Sequence, residues 1–315
     1  METRRTLLVD AFTDEPLAGN VAGVVPAADG LSDERMAAIA AELGASETAF
    51  LTDLPTAADA DRRIRYFTPT TEIDLCGHAT IASAAALAVD DAFGRDDGAA
   101  DGLPGSRVET LRTNAGDLRV SIDDDGTVWM RQDPPTVRRV DVDLDRIADA
   151  LGIDVAALRD VGADLPVAVA STGLPFLVIP INFLERLGGA DPDPTAIEAL
   201  TAAHDAIGVY AFTFDALDAD STLHGRAFVP GAGVDEDPVT GTASGACAGY
   251  LRAVGAFDGN FPDKLRFEQG HFLDRPGLVR IRLHGDDVRV GGTAAVSLDG
   301  EIRIPDGEDG EIIEA

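Results

Sequence analysis

The sequence predicts an α+β fold made of two pseudo-symmetric halves. Each half is an antiparallel β-barrel wrapped around a central helix, and the candidate site lies in the cleft between them. Two observations carry this. Arg65-Tyr66-Phe67-Thr68-Pro69 recurs as Arg226-Ala227-Phe228-Val229-Pro230 at an offset of 161 residues. Each copy is followed by a glycine and a helix of small residues: Gly77-His78-Ala79-Thr80-Ile81-Ala82, then Gly241-Thr242-Ala243-Ser244-Gly245-Ala246.

The remaining elements follow in order. Gly19 and Gly173 each precede an apolar strand ending in proline, at Pro26 and Pro180. A helical pattern then runs into Ala49-Phe50-Leu51 in the first copy and Ala211-Phe212-Thr213 in the second. This match sets Val209 opposite Glu47. The run Ala79–Val89 has no charged face, and a helix that is apolar all round is buried all round. Leu111-Arg112 with Gly116 matches Leu265-Arg266 with Gly270, which places an antiparallel meander after each helix. Arg131 to Gly162 reads as the crossover, with Pro134-Pro135 opening it and a helix near Leu144–Leu151. The expected division is 1–130, 131–300 and an acidic tail at 301–315 that packs back on the N-terminal half.

Composition narrows the function. The chain has 315 residues, 25 Lys+Arg and 56 Asp+Glu, a formal charge of −31. Such a surface repels phosphate backbones and anionic membranes, so neither nucleic acid nor membrane is an expected partner. An acid-rich surface with Lys264 as its one lysine suits a salt-in halophile, where the Debye length falls to about 3 Å at molar salt. Lys264 has no glycine loop before it, so neither a P-loop nor a lysine-bound pyridoxal cofactor is expected. The longest apolar stretches fall short of the roughly 20 residues of a membrane span. The N-terminus lacks a signal-peptide core, and Cys76 and Cys247 form no disulfide framework, so a cytoplasmic protein is expected. The five histidines show no metal-ligand spacing, and no metal site is expected.

The chemistry is expected at the two helix starts. Unpaired N–H groups there favour an anion, such as a carboxylate or an enolate-like charge. Polar residues stand where the copies differ. Glu47 enters an apolar strand, where a raised pKa would suit a general acid/base; a surface glutamate at a helix end is the alternative. His78 stands where the second copy has Thr242, as a proton shuttle, a substrate partner or a helix cap. Asp237 is fixed beside the cleft by Pro238.

These segments together resemble a known family. Val9-Asp10-Ala11-Phe12 with Gly19-Asn20, Ser46-Glu47-Thr48-Ala49-Phe50, Leu75-Cys76-Gly77-His78-Ala79-Thr80, Glu236-Asp237-Pro238-Val239-Thr240-Gly241-Thr242-Ala243 and Glu268-Gln269-Gly270 are similar to the PhzF-like family of phenazine biosynthesis, in order and across nearly the whole chain. The resemblance implies a diaminopimelate epimerase-like fold and a cofactor-independent, homodimeric isomerase. It implies proton transfer by Glu47 on a small carboxylate substrate such as dihydro-3-hydroxyanthranilate. It assigns catalytic roles to Glu47, His78 and Asp237, and substrate binding to Asn20, Gly77, Gly241 and Thr242. Thr242 replaces the usual serine, keeping the hydroxyl and adding a methyl group.

Two other functions compete. A two-cysteine epimerase or racemase on the same fold needs a thiol before each glycine; Cys76 precedes Gly77, but Thr240 precedes Gly241. A non-catalytic small-acid binding protein would keep the cleft without the polar set.

Overall fold

The computed structural model describes residues 1–55, 58–93, 95–96, 107–159, 161 and 165–305. The first half runs β1 (Glu2–Ala11), β2 (Asn20–Val25), α1 (Asp33–Leu43), β3 (Glu47–Asp53), β4 (Arg62–Phe67), β5 (Glu72–Ile73), α2 (Gly77–Val89), β6 (Arg95–Asp96), β7 (Arg107–Thr113), β8 (Gly116–Ile122) and β9 (Val128–Gln132). The second runs β10 (Thr136–Arg139), α3 (Leu144–Leu151), α4 (Ala156–Arg159), β11 (Ala168–Ser171), β12 (Pro175–Pro180), α5 (Leu184–Gly188), α6 (Pro194–Ala202), β13 (Gly208–Thr213), β14 (Leu223–Val229), β15 (Val234–Asp237), α7 (Gly241–Val254), β16 (Lys264–Gln269), β17 (Gly277–His284) and β18 (Asp287–Gly292). A final strand, β19 (Ala294–Ile304), ends the described chain.

Strand pairing repeats between the halves. β2–β3 and β12–β13 are parallel, and so are β4–β7 and β14–β16. β7–β8–β9 and β16–β17–β18 are the antiparallel meanders. β9 and β18 pair with each other and join the two sheets.

The last strand crosses the boundary drawn at residue 300 and returns to the N-terminal half. β19 begins inside the range given to the second half, yet it pairs along all of β1, from Ala11↔Ala294 to Glu2↔Ile304. Covering the outer edge of β1 satisfies a row of backbone groups that would otherwise be open to association. Residues 301–304 of the expected tail lie in this strand, and 306–315 lie outside the described residues.

Each sheet curls around its small-residue helix. α2 touches β1, β2, β3, β8, β9 and β19; α7 touches β10, β11, β12, β17 and β18. Both helices are buried along most of their length. Their hydroxyls are satisfied within the helix, Thr80 on the Cys76 carbonyl at 2.7 Å and Ser244 on the Thr240 carbonyl at 2.9 Å. A Cβ at Gly249 would come within 2.4 Å of Pro135 Cβ, so the crossover strand can approach α7 only at a glycine. Outside the sheets, α1 packs on β3 and β4, while α3, α5 and α6 cover β12, β13 and β14.

The register corrects one sequence match. Ala22 pairs with Glu47 at the start of β3, and Phe176 pairs with Gly208 at the start of β13. The residue equivalent to Glu47 is therefore Gly208, not Val209, and the Ala-Phe match is one residue out of step. A Cβ at Gly208 would lie 2.4 Å from Val229 Cγ1, so this position has no room for a side chain. The asymmetry at Glu47 is greater than the sequence match suggests.

Candidate active site

Glu47 leads β3 directly after the turn that ends α1, where Gly44 caps the helix with φ 65°. The parallel pairing with β2 brings it beside the start of α2. Glu47 Oε2 lies 3.3 Å from His78 Nε2. That oxygen is buried, and among the described residues it has no hydrogen bond of good geometry. Ser46 Oγ lies 3.5 Å from the same His78 nitrogen, and Cys76 Sγ lies 3.5 Å from His78 Nδ1. The imidazole is thus contacted at both nitrogens, and Nε2 is the one that faces the carboxylate.

Asp237 comes from the other half, at the end of β15. Asn20 Nδ2 donates to Asp237 Oδ1 at 2.8 Å and to the Val239 carbonyl at 3.0 Å. The Thr240 hydroxyl donates to Asp237 Oδ2. Gln269 fastens the loop: its Nε2 donates to the Asp237 carbonyl at 2.8 Å, and its Oε1 accepts from the Thr240 N–H at 3.1 Å. Burial raises the Asp237 pKa, and the Glu47 charge adds to it. His78, Thr240 and Asn20 oppose the shift, but the net direction is upward. Glu47 and His78 from the first half thus lie within electrostatic range of Asp237 from the second.

The helix starts differ in detail. Thr240 at the start of α7 makes no side-chain capping bond, leaving first-turn N–H groups available, whereas at the start of α2 the His78 and Ala79 N–H groups face the Cys76 sulfur. A Cβ at Gly241 would lie 2.9 Å from Phe12 Cζ, because the first half inserts Phe12 beneath α7. A Cβ at Gly77 would meet only Met130 Cε, at 3.8 Å. Gly241 is thus fixed by packing, while space remains above Gly77. Thr242 is half-buried, and its carbonyl accepts from Thr172 Oγ1 at 3.2 Å.

Burial pushes the Cys76 thiol well up, and the Glu47 and Asp237 charges reinforce the shift. It is held as a neutral thiol. Glu47, Cys76 and His78 each offer one atom within 4.8 Å of the others, a spacing that could admit a metal ion. A thiol must lose its proton to serve as a ligand, and this environment opposes that.

Sequence reasoning missed Gln269 and Thr240. Gln269 stands within the Glu268-Gln269-Gly270 segment, where residue type alone gives no sign of its loop partners. Thr240 reads from the sequence as the place of an absent thiol, and its position before Gly241 marks it as the counterpart of Cys76.

The paired sheets, their central helices and the two-sided polar cleft define an epimerase-like enzyme of the isomerase class. The chain belongs to the family described as phenazine biosynthesis-like protein, whose model matches residues 9–300. It is 35% identical over 305 residues to a Bacillus subtilis (strain 168) protein named uncharacterized isomerase YfhB, covering 94% of this chain and 98% of that one. It is 38% identical over 303 residues to an uncharacterized isomerase of Deinococcus radiodurans, covering 93% and 92%. The crystal structure of the Bacillus anthracis phenazine biosynthesis protein of the PhzF family superimposes with a TM-score of 0.83 at 30% identity, covering 96% of this chain and all of that one. A hydroxyproline epimerase from Agrobacterium vitis shares the fold alone, with a TM-score of 0.57 at 14% identity. The expected fold class is borne out.

Proposed function

We propose that this protein is a cofactor-independent isomerase that shifts a proton on a small carboxylate-bearing substrate of the dihydro-3-hydroxyanthranilate type. One observation carries the reading. Glu47 Oε2 is buried without a well-formed hydrogen bond, 3.3 Å from His78 Nε2. A carboxylate oxygen so placed is free to take a proton from substrate, and the imidazole is in reach to relay it. The uncapped first turn of α7, with the start of α2 facing it, supplies N–H donors for the substrate carboxylate and for enolate-like charge in the transition state. Asp237, with its raised pKa, offers a polar contact from the opposite wall. Asn20 and Thr240 orient it, and Thr242 narrows that wall by a methyl group.

Glu47→Gln tests the proposal by deuterium incorporation from solvent into small cyclic and amino acids, screened in high salt. Proton exchange is expected to fall by about 10²–10⁴-fold. An unchanged rate would sink the assignment. The two-cysteine reading keeps one supporting fact, Cys76 before α2. At the matching place the Thr240 hydroxyl is already committed to Asp237. Retained activity in Cys76→Ser would remove that reading. The proposal carries with it a homodimer acting in the cytoplasm. Sedimentation of the purified protein tests the assembly. Among the described residues no helix is long and apolar enough to cross a membrane.

A further inference from the structure

Outside the cleft, three side chains from separate elements converge. His224 on β14 stands in parallel register with Glu268 on β16. Gly270, with φ 83°, turns the chain directly after β16, and a Cβ there would lie 2.2 Å from the Arg275 carbonyl oxygen. That turn puts His271 at the head of a short 3-10 turn, His271–Leu273. His224 Nδ1 lies 3.1 Å from Glu268 Oε2, and the two imidazole rings are 4.9 Å apart between centres. One ligand atom from each of the three residues falls within 4.8 Å of the others.

The cluster holds more coordinating capacity than the protein uses. His224 is fully buried, yet its Nε2 has no hydrogen-bond partner among the described residues. His271 Nδ1 is buried and makes no hydrogen bond of good geometry, although the ring lies near the Gln269 backbone. An unmade hydrogen bond at a buried polar atom costs about 1–3 kcal/mol, so two side by side call for an explanation. Glu268 is already oriented, accepting from the backbone N–H of Leu217 at 2.8 Å and of Asp218 at 2.7 Å.

We propose that His224, Glu268 and His271 form a divalent-metal site, with zinc the best-matched ion. Two imidazole nitrogens and one carboxylate oxygen are a donor set zinc accepts. Bonds of about 2.0–2.2 Å in tetrahedral geometry set ligand atoms about 3.3 Å apart. The three ligand atoms already lie within 4.8 Å of one another before any ion draws them together. His271, half-buried on its turn, has only to move inwards, and the fourth position is left to water. The site is distinct from the cleft. Neighbours on a strand face opposite ways, so Glu268 points away from the face where Gln269 fastens the Asp237–Thr240 loop. A metal would brace β16 directly behind that glutamine. The histidine spacing on the chain pointed to no metal site, because two strands and a turn supply the ligands.

The test is equilibrium dialysis of chelator-stripped, full-length protein against zinc chloride, paired with absorption spectra after cobalt(II) addition. One equivalent of zinc and tetrahedral cobalt bands are expected. His271→Ala, on a partly exposed turn, should keep the circular dichroism of the folded chain and weaken binding by at least about 100-fold; His271→Gln is the second variant if alanine perturbs folding. Absence of stoichiometric binding would overturn the proposal. So would binding that survives His271→Ala but is lost in Cys76→Ala, which would place the ion at Glu47, Cys76 and His78.

Discussion

Tyr66 and Tyr210 sit on opposite strands of equivalent cross-strand pairs, and each reaches the same helix position. Tyr66 on β4 pairs with Ala49 on β3, while Tyr210 on β13 pairs with Ala227 on β14. Tyr66 Oη lies 2.6 Å from Thr80 Oγ1 on α2; Tyr210 Oη lies 3.4 Å from Ser244 Oγ on α7. The exchange needs Gly225, where a Cβ would lie 2.3 Å from the Tyr210 hydroxyl. Tyr66→Phe should cost about 1 kcal/mol, the net value of one buried hydrogen bond. Tyr210→Phe, losing a longer contact, should cost less. Urea denaturation of both variants checks the order.

Asp10 and Arg275 tie the halves together. Asp10 is buried; its Oδ1 accepts from Arg275 Nη2 at 2.6 Å and its Oδ2 from the Leu17 N–H at 2.7 Å. Arg275 also donates to the Gly19 carbonyl at 2.9 Å and the Ala18 carbonyl at 2.7 Å. Arg275→Ala leaves a buried carboxylate short of its cation and should cost about 3–5 kcal/mol. Denaturant midpoints measured at low and at molar salt should show a similar loss, because the Asp10 carboxylate is buried and weakly screened although Arg275 is partly exposed.

Stability should rise with pH below about 6.5, the ordinary histidine value. Burial lowers the folded-state pKa of both His224 and His271, with Glu268 opposing the shift, and His271 and Arg226 adding to it at His224. Between the lowered folded value and the unfolded one, the unfolded chain binds more protons, so acid favours unfolding. Melting temperatures in chelator should climb from pH 5 to pH 7, with a shallower slope in His271→Ala. A flat profile would count against the buried neutral histidines.

Low salt should loosen the protein. With a formal charge of −31, self-repulsion is screened only when the Debye length is short. Circular dichroism is expected to show a lower melting temperature after dialysis from molar to millimolar salt. An unchanged melt would speak against adaptation to a salt-rich cytoplasm.

Several features were legible in the sequence because local pattern specifies them. The repeat around Arg65 and Arg226, the charge-free run Ala79–Val89 and the helix Leu144–Leu151 all follow from residue type and spacing along the chain. Glu47, His78 and Asp237 stood out because the two copies differ there. Only the tertiary structure decided what lies opposite what. Strand register depends on cross-strand packing, so it moved the counterpart of Glu47 from Val209 to Gly208 and placed the two tyrosines on different strands. It laid β19 along β1, because that edge needed a hydrogen-bonding partner. It gathered His224, Glu268 and His271 from β14, β16 and the turn that follows, a proximity that no spacing along the chain records.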